Sequence, residues 1–305
     1  MIPYFDAHCD TALPVHVLGK SLYENDLHLD LKRLSAFAPC AQVFAVCVER
    51  CADLTGATDA VLDSLLRELE ANREYVQLCR NEVDITNTIQ SGRIAALLSV
   101  EGAERLGCSL EKLRALYACG LRIVHLTWND DNVLSGAALG SGSGLTAAGR
   151  EFVRAAQSMG VALDLSHISE RGFWDVLETA EKPVLAGHSN ARALCDHPRN
   201  LTDAQFAALV KCGGAAGLNF CTDFLGGTRD ADAIAAHAEH WLSLGGEKTV
   251  CLGTDFDGIP ELPGGIDGAE SMGEVYNAML RRNFPEDTVR DIFWNNLWKF
   301  FGRVL

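Results

Sequence analysis

Short apolar runs recur along the 305-residue chain at residues 2–8, 41–48, 93–100, 121–127, 161–167, 183–188, 213–220 and 249–255. Each has the length of a strand. Between most of them the apolar positions switch to helical spacing. Residues 60–80 carry Val61, Leu62, Leu65, Leu66 and Leu69 on one face of period 3.6. Shorter helical patterns follow at 110–118, 147–158, 170–177, 203–211 and 230–244, and Phe284 and Pro285 lead into a last helix over 286–303. Residues 11–40 show no clean periodicity and read as an irregular excursion after the first strand. Strands that alternate with helices pair in parallel, in a sheet covered on both faces. Eight such units in about 300 residues predict a closed (β/α)8 TIM barrel. A doubly wound open sheet is the alternative. No Pro/Gly/Ser-rich linker separates two cores, so residues 1–305 read as one domain.

Composition narrows the partners. The hydrophobic class makes up 48% of the chain, enough for a large core. The net charge of −15 argues against a nucleic-acid partner, which calls for a basic face. No run of about 18 apolar residues is present to span a membrane. The first residues lack the basic and apolar regions of a signal peptide, so a cytoplasmic protein is the expectation. The eleven cysteines are odd in number, form no C-x-x-C pair, and several sit inside apolar runs, such as Cys47 and Cys251. They read as reduced, buried residues. Cys47 and Cys51 lack the second pair that a structural zinc site needs. The Gly-rich segment 136–144 lacks the lysine and spacing of a phosphate loop and reads as a mobile loop near the pocket, with Thr146 capping the next helix. The Trp-rich segment 293–298 has helical spacing and either packs against the barrel or makes a homodimer contact.

The barrel expectation places chemistry at the C-terminal ends of the strands. Five of the eight runs end in candidate metal ligands: His8 and Asp10, Glu101, His167, His188, and Asp255. Imidazole nitrogen and carboxylate oxygen are the usual ligands of zinc and similar ions. His8 and Asp10 are two residues apart and share a strand face, whereas Cys9 points the other way. The set exceeds what one tetrahedral ion needs, and a carboxylate such as Glu101 can bridge two ions about 3.5–4 Å apart.

The series DAHCD, SVEG, DLSH, GHSN and GTDFDG, in this order, resembles the membrane dipeptidase (renal dipeptidase-like) family of zinc peptidases, within the amidohydrolase group of metal-dependent barrels. The likeness runs from residue 1 to about residue 303. It implies two Zn2+ ions, or other divalent metals. His8 and Asp10 would hold the first, Glu101 would bridge both as part of the catalytic machinery, and His167 and His188 would hold the second. Asp255 is similar to the aspartate that sits beside metals and substrate and handles the proton. Arg199 matches the arginine that grips the substrate's terminal carboxylate, a task its guanidinium fork suits. Two positions depart from the pattern of the animal members. Trp128 stands where they have a carbonyl-polarising histidine, and Cys221 where they have a pocket tyrosine. His125, three residues before Trp128, is expected to face the opposite side of its strand.

The resemblance implies hydrolysis of dipeptides by metal-activated water, with Arg199, Trp128 and Asp255 contacting the substrate. Two alternatives stand beside it. One is another amidohydrolase acting on an N-acyl amino acid, a cyclic amide or a deaminase substrate; the other is a barrel that binds ligands without turnover.

Overall fold

The computed structural model describes all 305 residues. Nine parallel strands form: β1 (Tyr4–Cys9), β2 (Cys40–Val46), β3 (Val76–Leu78), β4 (Ile94–Val100), β5 (Leu121–His125), β6 (Ala162–Asp164), β7 (Leu185–Ser189), β8 (Ala215–Leu218) and β9 (Val250–Leu252). Pairing runs from β2 through β1, β9, β8, β7, β6 and β5 to β4, and β4 pairs back with β2 to close the ring. Eight strands thus make the expected (β/α)8 barrel. β3 is a short extra strand on the first half of β4, with Val76 opposite Ile94 and Leu78 opposite Ala96.

The strands are buried on both faces, as parallel strands under helices must be. Their outward side chains join the helices in the main core. Their inward side chains, including Phe5, Ala7, Val43, Leu97 and Ile123, make a separate inner cluster. The C-terminal helix plugs its floor: Trp294 and Phe301 pack on Phe5, with ring centroids 5.2 and 5.5 Å away. The Trp-rich segment therefore packs into the barrel, the first of its two expected uses. No helix is long and apolar enough to cross a membrane.

Three stretches differ from the pattern reading. The helix expected over 60–80 runs instead over Leu54–Ala71, capped by Asp53 accepting from the Gly56 amide. The chain then turns into β3, and Asn81 caps an unforeseen helix over Glu82–Gln90. The period of the long helix happened to continue to Val76, whose alternation with Leu78 serves a strand. The excursion after the first strand holds two short helices, Ala12–Leu18 and Leu31–Leu34, and helix Met272–Arg281 was not foreseen. The last helix is interrupted by a π turn at Asp291–Asn295 between Glu286–Arg290 and Asn296–Val304.

Candidate metal centre

The ends of the barrel strands deliver the candidate ligands to one point. A register irregularity in β1 between Asp6 and Cys9 brings His8 to the inside, while Cys9 joins the outer core as expected. Below them Asp6 fastens the layer. It accepts from the Thr254 amide and hydroxyl at 2.8 and 2.7 Å and from Gln42 Nε2 at 3.0 Å. Burial raises the Asp6 pKa against these donors.

One carboxylate oxygen is the hub. Glu101 Oε1 lies 2.8 Å from His167 Nε2, 3.2 Å from His188 Nε2 and 3.7 Å from His8 Nε2. His8 Nε2 is in turn 3.3 Å from Asp10 Oδ2. Two overlapping ligand groups result, His8–Asp10–Glu101 and Glu101–His167–His188, each with its ligand atoms within 4.8 Å of one another. The chemistry of this donor set, three imidazoles and buried carboxylates, fits divalent zinc-like ions. Two further details agree. Asp10 Oδ1 is buried without a partner, and the Nε2 atoms of His167 and His188 approach to 2.9 Å, an approach that a shared cation relieves. The tautomer of His167 is also suited to ligation. Its Nδ1–H donates to Asn129 Oδ1 at 3.0 Å, which leaves Nε2 as the lone-pair atom.

The same cluster holds charge without a metal. Burial presses the His8 pKa down, but the Glu101 and Asp10 carboxylates outweigh it and lift the imidazole to about 10. Burial and Glu101 raise Asp10 to about 7. Burial and the Arg199 cation lower His167 to about 3. Burial opposes ionisation of Glu101, yet His8 and His167 hold it well below the usual range.

Asp255 stands past β9 with φ +62°, in the left-handed region that few non-glycine residues adopt. Its amide donates to the His8 carbonyl, and Asn219 Nδ2 donates to its Oδ2 at 2.9 Å. That leaves Oδ1 beside the cluster, 3.9 Å from His8 Nε2. Burial raises its pKa. Arg199 is 3% exposed and reaches in from the loop after β7. Its Nη2 lies 3.0 Å from His167 Nε2 and donates to the His188 carbonyl, its guanidinium sits 5.5 Å from the Phe224 ring, and its Nη1 has no partner. Trp128 and Cys221 both line the cleft, together with Glu49, Leu139 and Ile259. Arg105 backs the Trp128 ring at 4.8 Å.

His125 is the residue placed differently from expectation. It does not face away from the site but lies inside the barrel, its ring centroid 5.3 Å from that of His8. β5 ends at His125, so the alternation that was counted on to Trp128 had already stopped. Asn129 and Asn219 were also missed. Their positions, one after Trp128 and two before Cys221, were the available signal.

The chain matches the family model "Membrane dipeptidase (Peptidase family M19)" over residues 1–304. An uncharacterised protein of Klebsiella pneumoniae is 33% identical over 255 residues, covering 79% of this chain and 94% of that protein. An uncharacterised dipeptidase of Schizosaccharomyces pombe is 31% identical over 307 residues, covering 91% of this chain and 73% of the relative. Among solved structures, a metallopeptidase of Rhodobacter sphaeroides, liganded with a phosphinate mimic of the dipeptide L-Ala-D-Ala, superposes with TM-score 0.91 at 29% identity, covering 100% of this chain and 99% of that one. With the metal-ligand clusters at the mouth of a closed barrel and a family match along nearly its whole length, this chain belongs to the membrane dipeptidase family of metallopeptidases.

Proposed function

We propose that this protein is a dinuclear zinc dipeptidase that cleaves the peptide bond of short, free-carboxylate dipeptides. The observation that carries the reading is the sharing of Glu101 Oε1 by two ligand groups. His8, Asp10 and Glu101 would hold one ion, and Glu101, His167 and His188 the other. When bound, the ions supply a Lewis acid for the scissile carbonyl and bring the pKa of a water near neutrality.

The remaining work falls to side chains. Asn219 fixes Asp255 Oδ2, so Oδ1 is the atom free to take the proton of the attacking water and pass it to the leaving amine. Burial makes this carboxylate more basic than an exposed one. The unpartnered Arg199 Nη1 receives the substrate carboxylate. Because Arg199 Nη2 is only 3.0 Å from a ligand nitrogen, the carboxylate and the bond to be cut can be separated by about one residue. That spacing favours dipeptides over longer chains. Trp128 forms a wall, and Cys221 leaves a smaller, less polar surface than a tyrosine would. Glu49 at the rim gives the far end an acid that suits a free amine, which favours dipeptides over N-acyl amino acids. The dipeptide mimic bound by the Rhodobacter sphaeroides metallopeptidase supports the same substrate class.

The test is a panel of dipeptides, some with a D-residue at the second position, beside N-acyl amino acids, offered to the zinc-loaded protein. Turnover is expected for dipeptides. Turnover of N-acyl amino acids alone would contradict the reading.

A further inference from the structure

Beneath the metal-facing atoms lies a layer of buried polar groups that the proposed reaction leaves unused. The Nδ1 atoms of His8 and His188, both ring nitrogens of His125 and the hydroxyl of Ser99 are buried without a hydrogen-bond partner. His125 is 1% exposed. Its ring lies edge-on to His8 and 5.5 Å from His188, measured between centroids. One ring nitrogen of each of the three histidines lies within 4.8 Å of those of the other two. Ser99 alternates along β4 with Leu97 of the inner cluster and with Glu101, so it faces the same interior.

The chemistry of ligation says what this layer must do. The Nε2 atoms of His8 and His188 face Glu101, so each ring that ligates through Nε2 carries its proton on Nδ1. A ligating imidazole normally donates that N–H to a carboxylate, a carbonyl or a water, which fixes the ring and raises its basicity. His167 does so through Asn129. His8 and His188 have no such protein partner. His125, a neutral imidazole, offers one acceptor and one donor. Two hydrogen bonds of about 2.8 Å meeting at one water span about 4.6 Å, a reach that suits three rings packed this closely. A single water there would accept from His8 and His188 and donate to His125 Nδ1 and Ser99 Oγ, so that four of the five orphans are satisfied at once. His125 Nε2 then keeps its proton on the side of Asp164, whose Oδ2 is 3.5 Å away. Asp164 is itself held by the amides of Ser166 and Gly187.

We infer that His125 is a positioning residue of the metal centre, setting the tautomer and orientation of His8 and His188 from beneath through a buried water shared with Ser99. The inference rests on the proposed roles of His8 and His188 as ligands.

The experiment measures zinc affinity by chelator competition, zinc stoichiometry, and the Tm of the metal-free protein, for wild type, His125→Phe, His125→Gln and Ser99→Ala. His125→Phe should weaken zinc binding about 10–100-fold while leaving the metal-free Tm unchanged or higher. His125→Gln, which keeps a polar atom, should recover most of the affinity, and Ser99→Ala should lose less than tenfold. Unchanged zinc affinity in a folded His125→Phe overturns the inference, as does a fall in Tm alone. Three zinc ions per wild-type chain against two in His125→Phe would make His125 a ligand instead, and overturns it too. Should His125→Phe fail to fold, His125→Ala takes its place, and unchanged zinc affinity in it overturns the inference. No zinc binding by any protein, wild type included, would instead mean that the ligand roles themselves are wrong.

Discussion

Strand β1 gives Phe5 and Ala7 to the floor of the barrel and His8 to its mouth, and β5 does the same with Ile123 and His125. The floor is closed by rings in van der Waals contact, Phe5 against Trp294 and Phe301. Packing alone accounts for it. The mouth, a few residues further along the same strands, holds three mutually close imidazoles, buried carboxylates with an unpaired oxygen on Asp10, and a left-handed backbone at Asp255. Nothing in packing accounts for that arrangement, because unpaired buried polar groups cost stability. The contrast teaches that the barrel wall confers rigidity, and that its mouth is organised around a ligand that is not protein.

The sharpest way to break the contrast is at Asp255. Asparagine tolerates the left-handed conformation and keeps the shape, so Asp255→Asn should bind zinc normally and lower kcat about 10²–10⁴-fold. Retained kcat would remove Asp255 from the proton path. On the floor, Trp294→Ala should cost about 3–5 kcal/mol of stability in a denaturant titration, with zinc affinity unchanged. A matching loss of zinc affinity would mean that floor and mouth are not independent. Arg199→Ala should raise KM for dipeptides by about tenfold or more, with the penalty vanishing for substrates whose carboxylate is amidated. An equal penalty for both substrates would deny it the carboxylate.

The last effect is one of pH, with the smallest change per step. Glu101 and Asp10, overcoming burial, hold His8 as a cation up to about pH 10 in the metal-free protein, and that proton must leave before Nε2 can ligate. Zinc affinity should therefore rise with pH, by about tenfold per unit for this one proton, and flatten above 10. Below pH 7 the dependence should steepen, because Asp10 also takes up a proton there. Chelator competition across pH reads this directly, and a flat profile between pH 7 and 9 would contradict it.

What could be read from the sequence follows the same divide. The ligands were legible because each lies within three residues of a strand end, where the barrel expectation already looks for chemistry. Glu101 follows the inward alternation of Leu97 along β4, whereas His8 and His188 reach the interior through register irregularities in β1 and β7 that alternation does not foresee. His125 was misjudged because the alternation was counted on through Leu126 and Thr127, past the end of β5. The contacts of Asn219 with Asp255 and of Arg199 with His167 join residues 36 and 32 positions apart, which no local pattern reveals. β3 was hidden for a different reason. Val76 also fits the phase of the preceding helix, and pairing with β4 shows that it starts a strand instead.

The central claim, that the mouth of the barrel is a two-ion hydrolytic centre, is tested most directly by titrating zinc into verified metal-free protein while following dipeptide hydrolysis. The account predicts no hydrolysis at the start and activity that climbs to a plateau at two equivalents of zinc per chain. Full hydrolysis before any metal is added, or a plateau at one equivalent, would contradict it.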